Sequence, residues 1–343
     1  MQAQSSLPPW NGVRHAGASG TSHTQRPHVE SYFFKLNDPE GRRALWLKAT
    51  LLERAGRGRL PVAEAWAIAF DREGGHVAAK ETVPLARASF SRDRLAIRVA
   101  DLVVDEGRLR GSVRGSALTG SRVPIAFDLR FEPGAPALVP FPSPRMYTGP
   151  LPSSKLVSPH PDSRFEGRYS VDGVEVAVDG WRGMQGHNWG TKHAELYAWC
   201  HANQWDNEED LVLEGVTGRV KVGPLLAPPL TVVCVRHRGV RYDLNGALTL
   251  LRARGAIGER RWEFEAHNDL AQVSGEVWAD TPDFVGLAYE NPVGDTTYCL
   301  NSKIARARVR LAVRGRPPLD VITRAAALEI GTKDPRHGIT MLA

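Results

Sequence analysis

The sequence predicts an all-β protein built as two consecutive antiparallel β-barrels or strongly curved β-sandwiches. Three observations lead there. The 343 residues include 33 glycines and 24 prolines, a density of chain-breaking residues that favours short strands joined by turns over long helices. Apolar side chains recur at period two, as in Trp66, Ile68 and Phe70, which is the strand period. A proline-rich stretch also divides two strand-like halves.

In chain order, residues 1–28 are polar, rich in Gly and Ser and aperiodic. They read as a mobile tail on which Trp10 alone is placed to dock. A first β unit is expected over 29–132, with strands near 30–35, 43–52, 63–70, 95–99, 102–104, 109–113 and 123–131. Turn signals such as Asn37-Asp-Pro-Glu-Gly41 separate them. Proline cannot donate to a sheet ladder, so the run from Pro133 through Pro144, continued by Pro150, Pro152, Pro159 and Pro161, reads as a crossover over 133–162. A second β unit is expected over 163–343, with strands near 164–169, 174–178, 197–205, 210–216, 230–236, 241–251, 261–267, 275–279, 284–290, 296–300, 306–313 and 322–330. The Ala-containing runs 304–314 and 320–328 also admit a helix.

Composition excludes several classes. Apolar residues make up 42% and charged residues 24%, enough apolar surface to offset chain entropy, so bulk disorder is excluded. No window of 18 uncharged apolar residues suggests a membrane-spanning helix. The opening lacks the basic and apolar regions of a secretory signal. Cys200, Cys234 and Cys299 are too scattered for a disulfide framework. A cytoplasmic location with free thiols is expected. The net charge of +6 comes from dispersed arginines rather than a basic block, so no nucleic-acid partner is expected. Nucleotide-loop, dinucleotide and nucleophile-elbow fingerprints are absent from the sequence. His187, His193 and His201 match no metal-ligand spacing, so neither a metal nor an organic cofactor is expected.

One segment, 180–206, differs from the rest: it holds four of nine tryptophans and three of eleven histidines. Its first half carries Gly180, Gly183, Gly186 and Gly190 and reads as a tight, loop-like path. Its second half reads as a strand. At period two Glu195, Tyr197, Trp199, His201, Asn203 and Trp205 share one face, and Leu196, Ala198, Cys200, Ala202 and Gln204 the other. An aromatic, polar-tipped face turned into a barrel would line a small-molecule cavity; the same alternation also fits plain core. Polar groups in an aromatic layer are costly to bury without partners, which makes His187, His201 and Asn203 functional candidates. Asp206, Glu214 and Glu290 are the neighbouring carboxyls, and apolar surroundings raise a carboxyl's pKa and suit it to act as an acid. Lys303, in the polar run Asn301-Ser-Lys303, is placed to pair with a carboxylate inside the second half.

The run Gly186-His-Asn-Trp-Gly190, then His193 and Tyr197-x-Trp-x-His201, follows a Pro-rich crossover and a first half opening Glu30-Ser-Tyr-Phe-Phe. This pattern resembles the two-domain lipocalin-like family of hydroxyneurosporene synthase (carotenoid 1,2-hydratase), tocopherol cyclase-like proteins and related pericyclases. The resemblance implies two lipocalin-like barrels. It also implies cofactor-free hydration, cyclisation or cycloaddition of a hydrophobic polyene or prenyl chain. Where members often carry an Asp beside the motif, this chain has Gly186, so no catalytic Asp is carried over.

The resulting expectation is a cofactor-independent cyclase, hydratase or isomerase acting on a hydrophobic isoprenoid- or polyketide-like molecule. Trp189, Tyr197, Trp199 and Trp205 would shape the substrate and stabilise positive charge, with Asn203 and Glu290 as further binding residues. His201, Asp206, Glu214 and His187 are the catalytic candidates, a protonated carboxyl or imidazolium donating to an alkene or carbonyl. A non-catalytic carrier of a lipophilic ligand is one alternative; a glycan-active or glycan-binding β-protein is the other.

Overall fold

The computed structural model describes residues 10–14, 27–56, 59–219, 221–222, 225–226 and 228–343. Two large antiparallel sheets dominate. The first comprises β1 (His28–Asn37), β2 (Arg43–Glu53), β3 (Val62–Asp71), β4 (Val77–Pro84), β5 (Ser89–Phe90), β6 (Ala96–Val99), β7 (Leu102–Asp105), β8 (Arg108–Ser116), β9 (Ser121–Pro133), β10 (Ser154–Val171) and β11 (Val174–Gly190). Their order is β4-β3-β2-β1-β11-β10-β9-β8-β7-β6-β5, and the sheet curls until β4 lies against β8 and β9.

The second sheet contains β12 (Leu196–Ala202) and β13 (Leu211–Arg219). The hairpin β14 (Lys221–Val222) and β15 (Leu225–Leu226) stands apart. The sheet resumes with β16 (Leu230–His237), β17 (Val240–Leu244), β18 (Arg254–Ile257), β19 (Arg261–His267), β20 (Ala271–Trp278), β21 (Val285–Glu290), β22 (Thr296–Val313) and β23 (Leu319–Thr332). The order is β17-β16-β13-β12-β23-β22-β20-β19-β18, with β21 on the early half of β22. The helices are α1 (Arg145–Thr148) and α2 (Ala247–Arg252); among the described residues none is long and apolar enough to cross a membrane.

The all-β expectation holds, with local corrections. The sheet changes between Gly190 and Leu196: β10 and β11 pair with β9 and β1 and so belong to the first sheet. The proline crossover was expected to extend to 162, yet Pro159 and Pro161 lie inside β10. They sit where the pairing with β11 shifts register, between Val157 and His160 and between His160 and Ser163, and such irregularities tolerate proline in a sheet. The runs 304–314 and 320–328 are strand, not helix, because both long strands bury one face in the second core. Residues 241–251 are not one strand: β17 stops at Leu244 and α2 follows. Of the N-terminal 28 residues, 10–14 are docked and partly buried; the expected tail at 1–9 and 15–26 lies outside the described residues.

Strand parity explains three cores. Tyr32, Phe34 and Leu36 of β1, with Leu45, Leu47 and Ala49 of β2, fill the first curled sheet. Ala198, Cys200 and Ala202 of β12, with Leu328 and Ile330 of β23, fill the second. The alternate residues Phe33, Trp46, Trp66, Met184, Trp199, Cys299 and Ala327 form a third core between the sheets. Successive strand side chains point to opposite faces, so β1, β2, β3 and β12 each serve two cores.

Gly186 has a structural reason. It pairs with Phe33 across β1 and β11, and a Cβ at 186 would fall inside the Phe33 ring. Gly186→Ala is expected to cost about 1–3 kcal/mol by overpacking, read from the urea midpoint. Gly258→Ala, whose Cβ would meet nothing closer than 3.5 Å, should change stability far less.

Candidate active site between the sheets

The layer between the sheets is aromatic but carries ionisable groups. On β12 and β13, His201 stands directly opposite Glu214. Glu214 Oε1 accepts from Ser158 Oγ at 2.9 Å and from Trp199 Nε1 at 3.1 Å. Oε2 has no partner among the described residues. Only 2% of Glu214 is exposed, and burial pushes its carboxyl up to about 7. His201 donates Nε2–H to Pro161 O at 2.8 Å, while Nδ1 is unpartnered among the described residues. Burial, reinforced by the Lys35 charge, holds its pKa well below the usual histidine range. The imidazole is therefore neutral, with a free lone pair. Phe33 meets Trp199 edge-on at 5.5 Å and His201 stacks on Trp199 at 6.4 Å.

A second part of the layer contains lysines. Lys303 Nζ donates to Glu329 Oε1 at 2.7 Å and lies 5.3 Å and 5.4 Å from the Trp46 and Trp199 rings. Burial alone would raise the Glu329 carboxyl, but the Lys303 ammonium, with Lys48 and the Cys299 thiol, outweighs it and the net shift is downward. Lys48 Nζ sits 3.8 Å from the centre of the Tyr289 ring, flanked by Trp66 and Trp46. Burial pushes Lys48 down to about 8, against Glu329 and Glu64, which pull it up. Lys35 donates to Ala325 O at 2.9 Å, and burial pushes it down to about 7. His193, bonded to Asn291 at 2.9 Å, is pushed down by burial to about 4.

The structure brings Tyr197, Trp199, His201 and Glu214 to this layer. Tyr197 lies over Gly331, its ring filling the volume a side chain there would need. Asn203 is buried at the layer's margin, donating to Asp162 Oδ1 at 2.9 Å and Gly183 O at 2.7 Å. The other candidates lie elsewhere. Trp205 follows the end of β12, so parity no longer holds. It packs in the second core and donates to Leu211 O at 2.9 Å. Asp206 is exposed. Glu290 is held by Arg54 through two bonds of 2.6 Å. His187 and Trp189 sit at the first sheet. There His187 bonds Glu30 at 2.8 Å and Trp10 O at 2.5 Å, and Trp189 packs on Tyr147. Lys303 pairs with a second-half carboxylate, as its position suggested.

Lys35, Lys48, Trp46, Trp66, Tyr289 and Glu329 are not among the site candidates that the sequence offers. The available signal was a lysine set within uninterrupted apolar strand, as in Tyr32-Phe-Phe-Lys-Leu36 and Trp46-Leu-Lys-Ala49. Among the described residues no three His, Cys, Asp or Glu side chains are grouped to hold a metal ion.

Fold and site together define a two-sheet, lipocalin-like β-protein with a buried acid and buried amines between its sheets. Residues 162–332 match the tocopherol cyclase-like family. No curated protein sequence matches it. Two solved proteins share the fold. One is a Nitrosomonas europaea protein described as an AttH, 13% identical at a TM-score of 0.54, covering 94% of this chain and 98% of its own. The other is CghA, solved alone and with Sch210972, 13% identical at a TM-score of 0.54, covering 90% of this chain and 88% of its own.

The Lys303–Glu329 pair yields a stability prediction. Removing one partner leaves a buried charge uncompensated. Lys303→Met is expected to destabilise by about 3–5 kcal/mol, and Lys303→Met/Glu329→Gln to recover most of that loss in a denaturant double-mutant cycle.

Proposed function

We propose that the layer between the sheets is the active site of a cofactor-independent cyclase or isomerase, with Glu214 as the proton donor to a hydrophobic isoprenoid- or polyketide-like substrate. One observation carries this reading: a carboxyl held protonated up to about pH 7, one oxygen unpartnered, against an indole ring. The match of residues 162–332 to the tocopherol cyclase-like family supports a cyclase-type reaction. CghA, which shares the fold, was crystallised with Sch210972, and that precedent supports a small molecule as the ligand class.

Of the four catalytic candidates, Glu214 alone combines a proton near neutrality with a dry aromatic setting; His187 has both ring nitrogens engaged, by Trp10 O and Glu30, at the first sheet. His201 is neutral and Asp206 faces solvent. The carboxyl transfers its proton to an alkene carbon or carbonyl oxygen, leaving a carboxylate and a substrate cation. The Trp199 face stabilises that cation. Ring closure or migration of the double bond follows, and a substrate proton returns to the carboxylate. His201 Nδ1 offers a second acceptor.

At 2% exposure, Glu214 meets a substrate only when its cover moves. That cover includes Leu138, Ser158 and the proline-rich segment, which is tied down by Arg241 to Val139 O at 2.9 Å and Asn245 to Pro140 O at 2.5 Å.

The test is a pH profile on turnover. Activity should fall as pH rises through about 7, and Glu214→Gln should lose roughly 10²–10⁴-fold in kcat while still binding substrate. Full turnover by a folded Glu214→Gln variant would falsify the assignment. Binding without turnover in the wild type would favour a carrier.

A stability readout runs alongside. The folded-state pKa is raised, so the folded chain holds its proton to higher pH than the unfolded one. The stabilisation is complete below about 4.5 and lost as pH rises to about 7. Wild-type stability relative to Glu214→Gln should therefore decline over that window, by at most about 1.4 kcal/mol per pH unit, and level off above it.

A further inference from the structure

A pocket of about 380 Å³ opens at the outer edge where the first sheet meets the second, sharing no residue with the Glu214 cluster. It is lined by Arg72, Arg306, Arg308, Arg324, Trp278 and Asp206, with Ile322 and Ala307 among the remaining wall residues. Its charges are four guanidinium groups against one carboxylate.

The wall is preorganised. Arg72, in the turn after β3, donates to Asp283 Oδ2 at 2.6 Å, Gly41 O at 3.2 Å and Arg324 O at 3.1 Å, and to Ile304 O. Arg306 is braced by Asp280 at 3.0 Å. The Arg324 stem runs over Gly41, where a Cβ would come within 2.8 Å of it and where the left-handed backbone (φ +64°) also favours glycine. Arg308 and Arg324 form no side-chain hydrogen bond or ion pair among the described residues. Trp278 and Arg306 are cross-strand partners on β20 and β22, and Arg308 and Ile322 on β22 and β23. An apolar floor thus alternates with free donors.

Two uncommitted guanidinium groups beside two ion-paired ones suit a dianionic oxygen cluster, which arginine recognises bidentately. The half-buried indole and Ile322 suit an apolar or planar body attached to it. We propose that this pocket binds a small organic phosphate ester, the phosphate on Arg308 and Arg324 and the body on Trp278, with Asp206 accepting from a ligand hydroxyl. A soluble ester and a phospholipid headgroup share this chemistry.

The experiment is calorimetric titration of the full chain with phenyl phosphate, inorganic phosphate and phenol. A co-sedimentation arm uses phosphatidylcholine vesicles with and without phosphatidic acid. Phenyl phosphate should bind saturably and at least tenfold more tightly than inorganic phosphate or phenol. Arg308→Ser/Arg324→Ser should weaken it at least tenfold with an unchanged melting temperature, since both side chains are exposed. Trp278→Ala should bring phenyl phosphate down towards inorganic phosphate. Binding confined to phosphatidic acid vesicles and lost in the arginine variant supports the site with a lipid as its source. Absence of saturable binding in both arms, or equal binding by the arginine variant, overturns it.

Discussion

Lys303 and Glu329 meet at 2.7 Å in the layer between the two sheets, and much of the molecule is arranged around keeping that charge dry. An ion pair out of water is stable only when its remaining groups find partners; Asn301 supplies a second donor to the same carboxylate oxygen. Further bonds cross the layer and fix the sheets against each other: Asn37 to Lys303 O at 2.6 Å, Lys35 to Ala325 O at 2.9 Å, and Arg72 to Asp283 at 2.6 Å. The first two join a first-sheet side chain to the second sheet, and the third joins the turn after β3 to the turn before β21. Sliding one sheet over the other would break several of them at once and expose a lysine to an apolar face.

The dryness that makes the pair demanding also sets the chemistry around it. Burial penalises whichever form of a group is charged. It therefore moves acids and bases towards each other: Glu214 up to about 7, Lys35 down to about 7 and Lys48 down to about 8. Groups that differ widely in water become close in proton affinity, the condition under which proton transfer near neutrality is efficient. Aromatic rings complete the layer, since they pack as core and also tolerate positive charge at their faces. Lys48 over Tyr289 at 3.8 Å is that tolerance in the resting protein.

The strands were legible because period two survives in Trp66, Ile68 and Phe70 and in the 197–201 run, and parity correctly grouped Tyr197, Trp199 and His201. It failed at Trp205, which lies past Ala202, where β12 ends and alternation no longer applies. Pro159 and Pro161 misled for the opposite reason: they look like loop, but two register shifts in β10 accommodate them. Lys35 and Lys48 passed unnoticed because a lysine in a strand ordinarily faces water. Their burial follows from strands covered on both sides.

The sequence by itself determined the all-β class, the approximate strands and the concentration of aromatic and titratable groups in 180–206, because these depend on local periodicity and composition. The partner of each strand face was decided only by the tertiary structure. His187 and His201 belong to similar Trp-flanked patterns, yet one pairs with Glu30 at the first sheet and the other faces Glu214 between the sheets. Lys303 and Glu329, 26 residues apart, become a pair through the register of β22 and β23. Periodicity tells a strand which side chains share a face; only sheet order and packing say what that face meets.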